Sequence, residues 1–170
     1  AGKFVYKSAT ELASMIKNKQ ATSTEIVQEH INYIKNTNYK TNAYVWLFEQ
    51  DALDAAKKAD ERVAQGGPLG LLHGVPISIK EQFGIKGKPQ TVNAEMFQGF
   101  VASKNAGIVD AMLDEGAIIL GTTNVSKTLF DVQTIGEIYP TANNPYDLTR
   151  TPGGSTGGGG ASVAAGSSPI

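Results

Sequence analysis

The stretch Gly153-Gly154-Ser155-Thr156-Gly157-Gly158-Gly159-Gly160 constrains this chain more than any other. Six of its eight residues are glycine and the other two carry hydroxyls. Such a backbone bends sharply and lets other groups approach closely. It also exposes N–H groups to anything negative. It lies between Pro152 and a run of small apolar residues, Ala161-Ser162-Val163-Ala164-Ala165-Gly166, whose size suits the start of a tightly packed helix. A serine so placed, Ser155, belongs either to a linker or to an active site. The choice between them rests on residues elsewhere, at Lys80.

Composition narrows the classes. At 170 residues the chain is one domain or part of a larger one. With 41% hydrophobic and 18% charged residues it reads as an ordinary soluble globular protein. A net charge of −1 provides no electrostatic footprint for DNA or RNA, so no direct nucleic-acid partner is expected. No apolar run approaches the length of a membrane span. The absence of cysteine excludes disulfides, thiolate metal sites and a cysteine nucleophile. It also fits a reducing compartment, so a cytoplasmic location is expected. The opening Ala1-Gly2-Lys3-Phe4 has no apolar signal-peptide core.

Residues 1–66 read as helical. Ser8-Ala9-Thr10-Glu11 has capping-box spacing, and Leu12, Met15 and Ile16 follow at helical intervals. Thr22-Ser23-Thr24-Glu25 repeats the box ahead of a stripe of Val27, His30, Ile31 and Ile34. Asn38 and Asn42 bracket a turn, and the aromatic and β-branched run Ala43–Phe48 predicts a strand. Asp51 then caps an alanine-rich helix with Leu53, Ala56 and Val63 inward, ending near Gly66-Gly67-Pro68. His30 reads as a partly buried helix residue rather than a base or ligand. From Gly74 onward the pattern alternates. Val75–Lys80 is a short apolar strand ending in a cation. Residues 106–115 form a helix stopped by Gly116, and Ala117–Leu120 is a buried strand bounded by Gly116 and Gly121. A helix feeding such a strand predicts an α/β unit with a central sheet. Thr123 and Asn124 follow at the strand's C-terminus, where open α/β sheets place ligands. They either touch substrate or close the strand end. Residues 139–150 read as a loop.

The glycine run does not fit nucleotide binding. No lysine follows Gly160, as a P-loop needs, and no triple of glycines has dinucleotide-fold spacing. His30 and His73 are far apart in sequence, outside any ligand-spaced cluster, so neither a metal site nor a Ser-His-Asp triad is expected. A serine–lysine arrangement remains. Lysine is a poor base at its free pKa, but burial disfavours its charged form and lowers that pKa. Lys80, after Ile77-Ser78-Ile79, is either carried into such a core or snorkels to solvent.

The segments 74–81 (Gly-Val-Pro-Ile-Ser-Ile-Lys-Glu) and 151–161 together closely resemble the two leading motifs of the amidase signature family. Softer likenesses in the family's order are Pro68–His73, Gly116–Asn124 and Asn144-Pro145-Tyr146. The resemblance implies the N-terminal portion of an α/β fold, a mixed central sheet covered by helices. The helical start occupies residues 1–66 and the sheet and motif region 67–170. It also implies hydrolysis of carboxamides by a Ser–cis-Ser–Lys triad without metal or cofactor. By motif position Lys80 is the buried lysine, the ultimate base and later the acid. Ser155 is the bridging serine, preceded by a cis peptide at Gly154, where glycine removes a side chain from a crowded bond. Thr156 stands where serine is common in the family, with a hydroxyl still able to hydrogen-bond. The nucleophilic serine lies in a later Gly-Gly-Ser segment, so the chain is expected to be truncated before it and inactive alone. Ser162, Ser167 and Ser168 are not at its motif position.

The expected substrate is a small-molecule amide, aryl, aliphatic or fatty-acyl. The alternatives are the amidase subunit of a glutamine-dependent tRNA amidotransferase and an inactive or structural fragment. Gly159-Gly160-Ala161 looks more like simple amidases, which often have glutamate at the Gly159 position, than like the Ser-Ala-Ala of amidotransferases. The expected partners are the substrate and the rest of the same polypeptide, with a homodimer as one option. Met96, Phe97 and Phe100 read as core before pocket, and Asp131 and Glu137 as exposed loop charges. His73 reads as a packing or turn residue. Glu81 faces away from Lys80, because adjacent strand residues point to opposite faces.

Overall fold

The protein is described by a computed structural model, which covers residues 2–170. Three helices come before the middle of the chain: α1 (Ala9–Lys17), α2 (Ser23–Thr41) and α3 (Glu49–Gln65). Ser8 caps α1 by accepting from the Glu11 N–H at 3.1 Å. Thr22 and Glu25 form a full reciprocal box on α2. Three strands, β1 (Tyr44–Leu47), β2 (Pro76–Lys80) and β3 (Ile118–Thr123), form one sheet in the order β1-β3-β2. β1 runs antiparallel to β3 and β2 parallel to it, so the sheet is mixed. Helix α4 (Gly107–Asp114) makes the crossover from β2 to β3, and α5 (Gly157–Ala164) follows the glycine turn.

The two faces of the sheet bury different sets. Ile118 and Leu120 of β3 pack with Val27, Ile31 and Ile34 of α2, with Ala52, Ala56 and Ala59 of α3, and with Ala161 of α5. Ile77 and Ile79 of β2 pack on the other face with Val109 and Met112 of α4. Because strand side chains alternate, Ser78 and Lys80 face the side that carries α5, and Ser168 donates to Ser78 Oγ there at 3.2 Å. A third cluster joins Leu12 and Ile16 of α1 to Ile26 and Val75. Burying each residue the size of Ile31 contributes about 1.5–3 kcal/mol. The stripe of Val27, His30, Ile31 and Ile34 is buried as expected. His30 lies with Nδ1 2.8 Å from the Ile26 carbonyl, and burial lowers its pKa.

Several boundaries differ from the sequence expectations, each for a packing reason. Asp51 does not cap α3. The helix starts at Glu49, because Phe48 donates its N–H to Leu120 O at 2.8 Å and leads directly from sheet to helix. Asn38 lies inside α2, not at a turn, and its side-chain amide bonds both N–H and C=O of Tyr44. In α3, Ala52, Ala56 and Ala59 are the fully buried set, while Leu53 and Val63 are partly buried at its flanks. β3 does not stop at Gly121. A side chain there would meet Trp46 O at 2.0 Å, so glycine lets β1 close on the strand rather than ending it. Helix α5 begins at Gly157, four residues before Ala161. Met96, Phe97 and Phe100 are exposed rather than core. Phe100 joins Trp46, Val101, Ile138 and Tyr139 around a cavity of about 320 Å³.

Candidate active site

Lys80 and Ser155, 75 residues apart in sequence, meet at the C-terminal end of β2, where Lys80 Nζ donates to Ser155 Oγ at 2.8 Å. Burial lowers the Lys80 pKa below the ordinary lysine range. Among the described residues no carboxylate forms a salt bridge with it. An amine relieved of part of its hydration and lacking a counter-charge gives up its proton more readily.

The peptide Gly154–Ser155 is cis, at the bond where the resemblance implies one. The loop 131–134 holds it in place. A side chain at 154 would sit 2.8 Å from Asp131 O, Gln133 N and the carbonyl carbon of Val132, so only glycine fits under that backbone. Thr134 Oγ1 donates to Gly153 O at 2.7 Å. Behind Ser155 the helical glycines allow α5 to pack against backbone. A side chain at Gly158 would lie 2.1 Å from Asn124 N, and one at Gly157 would lie 2.0 Å from Thr134 Oγ1. The glycine run therefore seats a helix N-terminus tightly beneath the serine, and is no linker.

The supporting residues divide. Thr123 is buried opposite Lys80 in the β2–β3 register. Asn124 is fully buried and spends its groups on the fold. Its side-chain NH2 donates to Asn42 O at 3.1 Å and Pro140 O at 2.7 Å, and its backbone carbonyl accepts from Gly158 at 3.0 Å. These bonds close the strand end. Thr156 is exposed, and its carbonyl accepts the Gly160 N–H at 3.0 Å. Asp131 and Glu137 are exposed, and Glu137 pairs with Lys127. His73 Nε2 hydrogen-bonds to Ala59 O at 2.9 Å, tying the turn before β2 to α3. Ser162, Ser168 and Ser78 form a chain of hydroxyls at 3.2 Å spacing under β2. Among the described residues no cluster of metal-ligating side chains occurs, and no helix is long and apolar enough to cross a membrane. A cavity of about 420 Å³ among Tyr6, Tyr33, Lys40 and Tyr146 includes neither Lys80 nor Ser155 in its lining.

One residue given no role by its sequence, the neighbour of Lys80, is fully engaged in the fold. Glu81 is 0% exposed. Its carboxylate accepts from Thr91 N at 2.9 Å, Val92 N at 3.1 Å and Thr91 Oγ1 at 2.7 Å. Alternation along the strand correctly separates it from Lys80. No local signal shows that its partners lie ten residues downstream.

The sequence profile of the family described as Amidase matches residues 25–170. The chain is 33% identical over 167 residues to a glutamyl-tRNA(Gln) amidotransferase subunit of Clostridium botulinum, covering 98% of this chain and 34% of that protein. Its fold superimposes on a bacterial aryl acylamidase of the amidase signature enzymes with a TM-score of 0.93 at 29% identity, covering 98% of this chain and 35% of the other. A fatty acid amide hydrolase gives 0.91 at 28%, covering 98% and 29%. The chain thus spans about a third of the relatives it matches, and its mixed sheet with covering helices is that part of their fold. On sequence and on fold alike, the chain belongs to the Amidase family.

Proposed function

We propose that residues 1–170 are the N-terminal third of a carboxamide hydrolase in which Lys80 and Ser155 relay a proton from a serine nucleophile supplied by later sequence. The 2.8 Å contact between Lys80 Nζ and Ser155 Oγ carries this reading. With Lys80 neutral, the Ser155 hydroxyl donates to Nζ and accepts the proton of the nucleophile as that oxygen attacks the amide carbonyl. Collapse of the tetrahedral adduct breaks the C–N bond, and the relay runs in reverse to protonate the departing amine. Water then repeats the sequence on the acyl-enzyme. The likeness of the fold to an aryl acylamidase and a fatty acid amide hydrolase supports an apolar acyl or aryl amide as substrate. The 33% identity to the clostridial amidotransferase protein favours a second reading, glutamine hydrolysis within a partner complex.

The test uses the complete polypeptide and a fluorophosphonate probe, whose P–F bond is replaced by a P–O bond to an activated serine without any need to know the amide. Lys80→Ala is expected to slow labelling by about 10³-fold. Labelling of Lys80→Ala at the parent rate would sink the relay. Turnover of a 4-nitroanilide against turnover of glutamine separates the two substrate readings.

A further inference from the structure

We propose that Glu81, the neighbour of Lys80 in sequence, is a positioning residue that holds Ser155 against Lys80 by anchoring a backbone hook. This rests on the proton relay proposed above. Glu81 leaves β2 on the face opposite Lys80, and its own N–H donates to Thr123 O at 3.1 Å, so it is held as rigidly as the strand. Three donors from residues 91 and 92 converge on its carboxylate at 2.7–3.1 Å. Hydrogen bonds to an ionised acceptor are about twice as strong as neutral ones, and a buried carboxylate needs them. They stabilise a turn in which Val92 and Asn93 have φ of 45° and 54°, values that side-chain-bearing residues rarely adopt.

From that hook the contacts run through the loop 125–139 to Gly153 and Gly154, the two residues before the serine. Asn93, fully buried, accepts from Ile138 N and Tyr139 N at 3.0 Å each and donates to Val125 O at 2.8 Å. Thr128 N donates to Val92 O at 2.8 Å, and Glu137 N donates to Asn93 O at 3.0 Å. Both ends of the loop 125–139 are therefore tied to residues 92 and 93. That loop carries the Asp131–Gln133 backbone that lies against Gly154, and Thr134, whose hydroxyl donates to Gly153 O. Remote misplacement of a reacting group by an ångström costs about 10²-fold in rate.

The geometry also separates the hydrogen bonds from the charge. Oε1 takes the two N–H donors and Oε2 the Thr91 hydroxyl. In Glu81→Gln the amide oxygen keeps both N–H bonds. The NH2 donates to Thr91 Oγ1, whose own proton turns to Tyr139 OH, 3.0 Å away. Glutamine thus preserves the hook without the charge, whereas alanine removes both.

The experiment compares fluorophosphonate labelling and its pH profile in the complete polypeptide for Glu81→Ala, Glu81→Gln and Thr91→Val. Amide hydrogen exchange over 125–139 and 153–155 is followed in parallel. The expected result is labelling slowed about 10- to 100-fold in Glu81→Ala, a smaller loss in Thr91→Val, and a near-parent rate with an unmoved pH limb in Glu81→Gln. Exchange protection in both segments should fall in Glu81→Ala and persist in Glu81→Gln. Two results would overturn the proposal. One is a folded Glu81→Ala with parent labelling and protection. The other is a Glu81→Gln as slow as Glu81→Ala with a shifted limb, which would mean that the charge acts on Lys80 directly. If Glu81→Ala does not fold, Thr91→Val decides: unchanged protection and labelling reject the hook. If even Lys80→Ala labels like the parent, the relay fails, and the exchange data still judge the hook by itself.

Discussion

Residues 9–65 and residues 124–156 are held together by different physics. The first region is a helical layer whose apolar stripes repeat at helical spacing and meet the sheet through Val27, Ile31, Ala52 and Ala56. Its polar bonds reinforce what burial already decides. The Asp60 carboxylate accepts from Ser23 N at 2.7 Å and Thr24 N at 3.0 Å at the start of α2, where the helix dipole favours a negative group. The second region has little apolar core. Phe130 and Val132 point outward, and the loop is shaped by Asn93, Asn124 and Thr134 through side-chain bonds to backbone. Apolar burial is non-directional and tolerates small shifts. Hydrogen bonds to backbone specify position, which a proton relay requires. In this chain stability and placement are therefore assigned to separate stretches of sequence.

The pH profile tests the placement side most strongly. Proton acceptance needs neutral Lys80, so labelling should rise about tenfold per pH unit while the lysine is mostly protonated and level off above its pKa. Burial lowers that pKa, so the limb should level off below the ~10.4 of free lysine. A limb centred at or above that value would remove burial as the activating cause. Next, Ile31→Ala should cost about 2–5 kcal/mol in denaturant unfolding while leaving labelling per folded molecule within about twofold. A moved pH limb in that variant would break the division between the regions. The smallest effect sharpens it within a single helix. Gly158→Ala drives a methyl into Asn124 and Ala43 backbone and should cost about 1–3 kcal/mol together with labelling activity. Gly160→Ala, whose nearest neighbour is Pro152 O at 4.0 Å, should instead stabilise α5 by about 0.5–1 kcal/mol with activity retained. Thermal unfolding and labelling of the two variants side by side check the contrast.

The helical layer was legible because its cause is local. Capping residues and the Val27–Ile34 stripe lie within a few turns of each other, and burial follows their period. The motifs 74–81 and 151–161 likewise named Lys80 and Ser155, since residue types and spacing carry the family resemblance. Tertiary structure decided what those motifs touch. Gly121 is a glycine because β1 closes on β3, and Gly158 because α5 meets Asn124. Asn124 serves the fold because Asn42 and Pro140 arrive from distant segments. Glu81 matters because the chain returns ten residues later to offer it three donors. Sequence alone was enough to place the helices and strands, since each depends on neighbours along the chain, and to point to Lys80 and Ser155 through the two motifs. Only the folded structure decided the distances between them, because a hydrogen bond joins whatever the packing brings within about 3 Å, at any separation in sequence.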